Sequence, residues 1–156
     1  MNISEILYPD LVFPDLQSLN RVEIINELAE NASQVVQTVD VNTITEVLLA
    51  RERLGSTGLG HGVAVPHAKL ENINTVFACF GRSFRGIDFA ALDGKKVHLF
   101  FVFLVPNQAR SQDHIKLLAK VSRIFHSAEL RESLLGAEDR SEILELLSDA
   151  EKALVV

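Results

Sequence analysis

Two histidines stand where an imidazole could take part in a reaction, His67 and His114. His67 follows Pro66 at the end of a short strand pattern, residues 62–65, which a glycine-rich segment precedes. Proline donates no backbone hydrogen bond, so we expect the strand to end there and the His67 side chain to be accessible. An imidazole titrates near neutrality, and one ring nitrogen can therefore act as a nucleophile. A surface or core histidine without a reaction is the ordinary alternative, and the residues alone leave both open.

The glycine-rich segment, residues 55–62, is not a nucleotide-binding loop. A P-loop requires Lys-Ser or Lys-Thr after its last glycine, whereas Gly60 is followed by His61. A dinucleotide fingerprint that starts at Gly58 requires glycine or alanine at position 63, where Val63 stands. The glycines instead allow a backbone or a partner protein to come close to the histidine that follows.

His114 falls in the first turn of a predicted helix that runs from Gln112 to about Phe125, with Ser111 as its N-cap. Unpaired amides and the positive end of the helix dipole favour an anion such as phosphate there, and they discourage a proton on the ring. A neutral His114 could then donate one hydrogen bond to that anion. A partly buried histidine on the apolar face of the helix is the structural alternative, and it stays open.

Other kinds of site find little support. His61, His67 and His114 could supply three zinc ligands, but no HExxH or paired CxxC spacing accompanies them. A serine hydrolase of the α/β class would need a G-x-S-x-G elbow, which the sequence lacks. Cys79, the sole cysteine, lies in an apolar strand pattern, and we interpret it as a core residue.

Composition favours one soluble globular domain over residues 1–156, with 47% hydrophobic and 23% charged residues. The net charge of −6 argues against nucleic acid or an anionic membrane as the main partner. The longest apolar run, Leu99 to Val105, is too short to span a membrane, which takes about 20 residues. No signal-peptide pattern opens the sequence, and one cysteine suits a reducing compartment. We therefore expect a cytoplasmic protein.

Helical and strand patterns alternate, which predicts a single compact α/β domain. Predicted helices begin at the N-cap Ser18, at a capping box formed by Thr43 and Glu46, at Ser111, at Glu129 and at Ser141. Predicted strands are Leu11–Leu16, placed at a sheet edge by Pro14, then Thr75–Gly81 and a central strand Val97–Val105, with an irregular stretch Arg82–Leu92 before the last.

The segment Ser56-Thr-Gly-Leu-Gly-x-Gly-Val-Ala-Val-Pro-His67 closely resembles the active-site signature of enzyme IIA of the fructose/mannitol class. That enzyme is a component of the bacterial phosphoenolpyruvate-dependent phosphotransferase system (PTS). The resemblance extends to Arg51-Glu52 before the loop, to Leu92-Asp93-Gly94, and to His114-Ile-Lys-Leu-Leu-Ala119, and so covers nearly the whole chain.

The resemblance implies a mixed β-sheet sandwiched between helices, and a phosphohistidine mechanism. It implies that His67 accepts a phosphoryl group on Nε2 from a histidine phosphocarrier of the HPr type, and that His114 stabilises the phosphohistidine. Arg51 is implied in the same pocket, and Thr57 and Gly62 as supporting residues. Transfer between imidazoles requires mainly positioning and charge stabilisation, so no metal and no cofactor is expected.

His61 departs from the family, which often has asparagine there, and we expect asparagine-like loop bonding from it. Glycine before Ser-Thr-Gly looks more like the nitrogen-regulatory branch, which regulates protein partners according to its phosphorylation state. The alternative is a sugar-specific IIA that passes phosphate to a IIB/IIC permease. A third possibility, an interaction module whose His67 is never phosphorylated, has no inactivating substitution to support it.

Overall fold

The computed structural model describes residues 1–154, in which helices pack around one mixed β-sheet. The helices are α1 (Ile3–Ile6), α2 (Arg21–Val35), α3 (Val41–Arg53), α4 (Ser111–Phe125), α5 (Ala128–Gly136) and α6 (Arg140–Ala153). The strands are β1 (Val12–Phe13), β2 (Gly58–Gly60), β3 (Val63–Ala64), β4 (His67–Leu70), β5 (Phe77–Ile87) and β6 (Val97–Pro106). The α/β fold predicted from the sequence is confirmed. No helix within the described residues is both long and apolar enough to cross a membrane.

Strand β6 is the centre of the sheet, as its apolar run predicted. It pairs antiparallel with β5 on one side, and parallel with both β3 and β4 on the other. The remaining strands are at the edges, with β1 parallel to β5 and β2 antiparallel to β3. Nearly all β6 side chains are buried, because both faces of a central strand are covered. Cys79 of β5 is also buried, which raises the pKa of its thiol to about 12.

Two short strands share one edge of β6, separated by a break at Pro66. Val63 and Ala64 of β3 pair with Leu99 and Phe100, and β4 resumes the pairing opposite Phe103. Between them the Pro66 carbonyl accepts the Phe103 N–H at 3.1 Å. The predicted interruption is confirmed, but the strand Gly62–Val65 is reduced to β3. His67 begins a new strand and does not end the previous one, because β6 is long enough to pair again beyond the break.

Helices α2 and α3 begin at other caps than predicted. Asn20, and not Ser18, caps α2 by accepting the amide of the residue three positions on, at 2.9 Å. Ser18 instead donates its hydroxyl to the Glu27 carboxylate at 2.6 Å. Asp40, and not Thr43, caps α3 in the same way at 2.8 Å. Each true cap is a side chain of equal capping ability that stands a few residues earlier or later.

Strand β5 runs six residues further than the predicted strand, from Phe77 to Ile87, so the expectation of an irregular stretch is wrong for residues 82–87. Arg82, the first residue of that stretch, is only 3% exposed. Its guanidinium donates to the carbonyls of Pro14, Leu134 and Ala137. A buried charge is tolerated when it is hydrogen-bonded, and those carbonyls come from distant segments.

Candidate functional site

The fold brings His67 and His114 together, from the start of β4 and the first turn of α4. The His67 ring stacks on Phe103 with centroids 5.0 Å apart and planes at 11°. The His114 ring meets His67 edge-on at 4.9 Å and 86°, and it meets Phe103 at 5.5 Å and 81°. These three mutually packed rings fix both imidazole planes, which a transfer reaction between fixed groups requires.

One ring nitrogen of His67 is committed to the backbone. Nδ1 lies 2.7 Å from the Val65 carbonyl oxygen. Because a carbonyl can only accept, Nδ1 carries the proton and donates it. Burial lowers the pKa of His67 to about 4, with smaller contributions from His114 and Arg51, so the ring is neutral at pH 7. The lone pair is then on Nε2.

The expectation of an accessible side chain is wrong for most of the His67 ring, because only 5% of the residue is exposed. Nε2 has no hydrogen-bond partner among the contacts of the ring within residues 1–154. Yet no side-chain nitrogen or oxygen in that part of the chain is both fully buried and unpartnered. Nε2 must therefore be an atom that keeps contact with solvent. The nitrogen that bears the lone pair is therefore not fully sealed from solvent.

We expect the lowered pKa of His67 to make stability depend on pH. The unfolded chain binds this proton below about pH 6.5, and the native ring binds it only below about pH 4. Stability therefore falls as the pH falls through this window, by about 3 kcal/mol from this group. Urea unfolding of the wild type and of His67→Gln at pH 7, 5.5 and 4.5 measures it. The variant should lose less stability on acidification, and identical slopes would contradict the assignment.

His114 is half-buried, and its surroundings also disfavour a proton. Burial holds its pKa below the ordinary value, assisted by the positive charges of Lys69 and Arg51. No side chain caps α4, whose N-cap residue is Arg110 and not the predicted Ser111. The first amides of a helix have no partner within the helix. Asp113 and His114 already donate to the Arg110 carbonyl at 3.1 and 3.5 Å, so an anion here would rely on the amides before them.

Arg51 lies in the last turn of α3, and its charge acts on both histidines. Its Nη1 donates to the Gly55 carbonyl at 2.8 Å, which ties the side chain to the start of the glycine segment. Its positive charge lowers the pKa of both His67 and His114, as expected of a cation close to both rings. Arg51 can therefore offer a charged donor to an anion held between the two imidazoles.

Thr57 contacts Glu52, which the sequence indicated only as part of the resemblance and without a role. The carboxylate of Glu52 is 3% exposed and accepts both the Thr57 amide, at 3.1 Å, and the Thr57 hydroxyl. The Thr57 carbonyl in turn accepts the Val65 N–H at 3.0 Å. Hydrogen bonds thus connect Glu52 to the segment whose carbonyl holds His67. One signal could have identified it, since a carboxylate in the last turn of a helix opposes the helix dipole.

We expect Glu52→Ala to destabilise the protein by about 2 kcal/mol, because it leaves the amide and hydroxyl of Thr57 without their buried acceptor. Burial raises the pKa of Glu52, so part of the loss is offset by removing a desolvated carboxyl group. Glu46→Ala, an exposed glutamate on the same helix, is the matched control. Chemical denaturation of both variants measures the difference. Equal stabilities would show that the Thr57 contacts contribute little.

Gly62 and His61 are not part of this pocket. The Gly62 carbonyl accepts the N–H groups of His98 and Leu99, toward the other end of β6. His61 adopts a left-handed conformation with φ of 57°, and its amide donates to the Asp93 carboxylate at 2.8 Å. The bond is made by the backbone amide, so the asparagine-like bonding expected of the His61 side chain stays a prediction. Within residues 1–154, no cluster of three or more side chains suited to a metal ion occurs.

Comparison with known proteins gives one family. The sequence model of the phosphoenolpyruvate-dependent sugar phosphotransferase system EIIA 2 family matches residues 5–150. A nitrogen regulatory protein of Bradyrhizobium diazoefficiens is 34% identical over 95% of both chains. A fructose-specific EIIA component of Haloferax volcanii is 36% identical over 82% of this chain and 80% of its own. The crystal structure of IIA-Ntr from Neisseria meningitidis superposes with a TM-score of 0.87 at 32% identity, over 93% of this chain and 98% of that one.

Proposed function

The chain belongs to the EIIA 2 family of the phosphoenolpyruvate-dependent sugar phosphotransferase system, and on this premise we propose that it is a phosphocarrier. His67 accepts a phosphoryl group on Nε2 from the phosphohistidine of an HPr-type carrier and later passes it on. The observation that carries the proposal is the state of the His67 ring: neutral, fixed through Nδ1, and in contact with solvent at Nε2. We propose that residues 1–156 form a single domain of this family.

The proposed transfer step needs neither a metal ion nor a nucleotide. The Nε2 lone pair of His67 attacks phosphorus, and the donor's P–N bond breaks with its electrons returning to the donor imidazole. Positive charge develops on the His67 ring as the new P–N bond forms. The Val65 carbonyl, which already accepts Nδ1–H at 2.7 Å, stabilises that charge without rearrangement. A loose in-line transfer of this kind depends mainly on such positioning.

Three groups around His67 would stabilise the phosphoryl oxygens. A neutral His114, whose ring is 4.9 Å from that of His67, can donate one N–H. Arg51 supplies a charged donor, and the uncapped start of α4 supplies free amides. We propose His67 and His114 as the reacting pair, with Arg51 in support and Thr57 positioning the loop. Gly62 serves the backbone turn.

We propose a regulatory role of the nitrogen type for this phosphocarrier. The glycine before Ser-Thr-Gly supports it, as does the similarity to a nitrogen regulatory protein over 95% of both chains. A roughly dianionic group beside an exposed surface would change recognition of a protein partner. The second candidate, a sugar-specific component that donates to a IIB domain, is supported by the 36% identity to a fructose-specific EIIA. We propose that the protein acts in the cytoplasm, whose reducing conditions suit a chain with one cysteine.

Intact-protein mass spectrometry tests the proposal. The protein is incubated with phosphoenolpyruvate, enzyme I and either a nitrogen-type or a sugar-type HPr carrier. We expect one acid-labile phosphoryl adduct, formed faster with the nitrogen-type carrier. Faster labelling by the sugar-type carrier, followed by discharge to a IIB domain, would favour the transport role. No adduct with either carrier would overturn the phosphocarrier proposal and favour a phosphorylation-independent binding module.

A further inference from the structure

We propose that Lys69 is a further phosphoryl-binding residue, whose ammonium group supplies the pocket with a second cation besides Arg51. The inference rests on the proposed phosphocarrier function and concerns the same pocket. Neither the signature segment, which ends at His67, nor the second-histidine helix includes this lysine.

The register of β4 places Lys69 on the reacting side of the sheet. His67 pairs with Phe103, and Lys69 pairs with Val105, two residues further along both strands. Side chains two residues apart in a strand project from the same face. The stacked rings of His67 and Phe103 lie on that face, and His114 packs against both of them. Lys69 is thus the next side chain along the surface that α4 begins to cover.

The burial pattern of β4 agrees with this placement. Leu70, which projects from the opposite face, is buried, whereas Lys69 is exposed. The positive charge of Lys69 contributes to the lowered pKa of His114, as does that of Arg51. The two cations come from different elements, Lys69 from β4 and Arg51 from α3.

The ammonium group of Lys69 is available for an anion. Asp40 and Glu71 line the same surface cavity as Lys69. Neither acid forms an ion pair with Lys69, since both ion pairs within residues 1–154 involve other residues. A lysine on a flexible stem with three rotatable donors suits a phosphoryl group whose position changes as it is transferred. Charge-assisted bonds to phosphate are the strong kind, and the phosphoryl group carries close to two negative charges.

The test compares Lys69→Gln, which removes the charge, with Lys69→Arg, which keeps it. Lys116→Gln is the matched control, because Lys116 is an exposed lysine two residues beyond His114 on α4. The fraction of protein phosphorylated at equilibrium with the donor carrier is measured for each. We expect about a tenfold lower equilibrium constant for Lys69→Gln, from the loss of one charge-assisted bond. Lys69→Arg and the control should stay near the wild type.

A second measurement does not depend on phosphorylation. The pKa of His114 in the unphosphorylated protein is measured by NMR. The charged or titratable groups that can influence this pKa are Arg51, Lys69, His67 and the neighbouring Asp113. This pKa should rise in Lys69→Gln and stay unchanged in the other two variants. If Lys69→Gln were phosphorylated to the same extent as a wild type that is phosphorylated, the role of Lys69 alone would be overturned. A wild type that is never phosphorylated would overturn the proposed function and the role of Lys69 with it.

Discussion

His67→Ala is expected to abolish phosphoryl acceptance, with a loss of at least about a thousandfold, because the attacking nitrogen is removed. The alanine side chain also leaves empty the space in which the His67 ring stacks on Phe103, so lost packing contributes to the effect. His67→Gln separates the two causes, since glutamine retains volume and polarity without the nucleophile. Both variants should give no acid-labile adduct in the intact mass spectrum after incubation with the donor carrier.

The control for His67 is another histidine of the same segment. His61→Asn should be labelled like the wild type, because His61 is exposed and holds the loop through its backbone amide. An asparagine tolerates the left-handed conformation that His61 adopts. Full labelling of His67→Gln would remove the central claim of the mechanism. Loss of labelling in His61→Asn would instead assign a direct role to the loop.

His114→Ala is expected to slow phosphoryl transfer by about a hundredfold while leaving His67 able to react. The ring donates one of the hydrogen bonds that would meet the phosphoryl oxygens, and removing such a donor costs about 10²–10³ in rate. His114→Asn should recover part of the rate, because an amide can still donate. Rapid-quench measurements of transfer from the donor carrier give the rate, and the half-life of the adduct gives its stability.

His126→Ala is the matched control for His114. His126 is an exposed histidine at the C-cap of the same helix, outside the ring cluster. It should transfer phosphate at the wild-type rate. If His114→Ala also showed unchanged rate and unchanged adduct lifetime, His114 would be a packing residue, and its contact with His67 would have only a structural role.

The sequence was enough to predict the two histidines that the fold brings together, but not the environment of His67. The motif and the helix-start position identify His67 and His114, because residue type and spacing are local properties. The burial of His67 could not be predicted locally, since it depends on β6 being long enough to pair with β4 beyond Pro66. The strand break at Pro66 was predictable, and the resumption of pairing was not.

Other errors have the same origin. Ser18 and Asn20 are both good caps, and the choice between them depends on Glu27, which holds the Ser18 hydroxyl. The extension of β5 through Arg82 depends on three carbonyls that come from distant segments. The role of Glu52 was missed because its partner, Thr57, is brought to it only by the chain reversal after α3. Each of these features depends on a contact with a residue elsewhere in the chain, which the sequence around the feature does not specify.

Most of the proposed pocket comes from one continuous segment of the chain, and this determines which substitutions can leave its chemistry unchanged. All of its proposed groups except His114 and the start of α4 come from one short segment, from Arg51 to Lys69, which is fastened along β6. Substitutions in α1, α2, α5 and α6 can therefore accumulate without altering the chemistry. The proposed chemistry thus depends on few elements of a chain that is similar to relatives named for nitrogen regulation and for fructose transport.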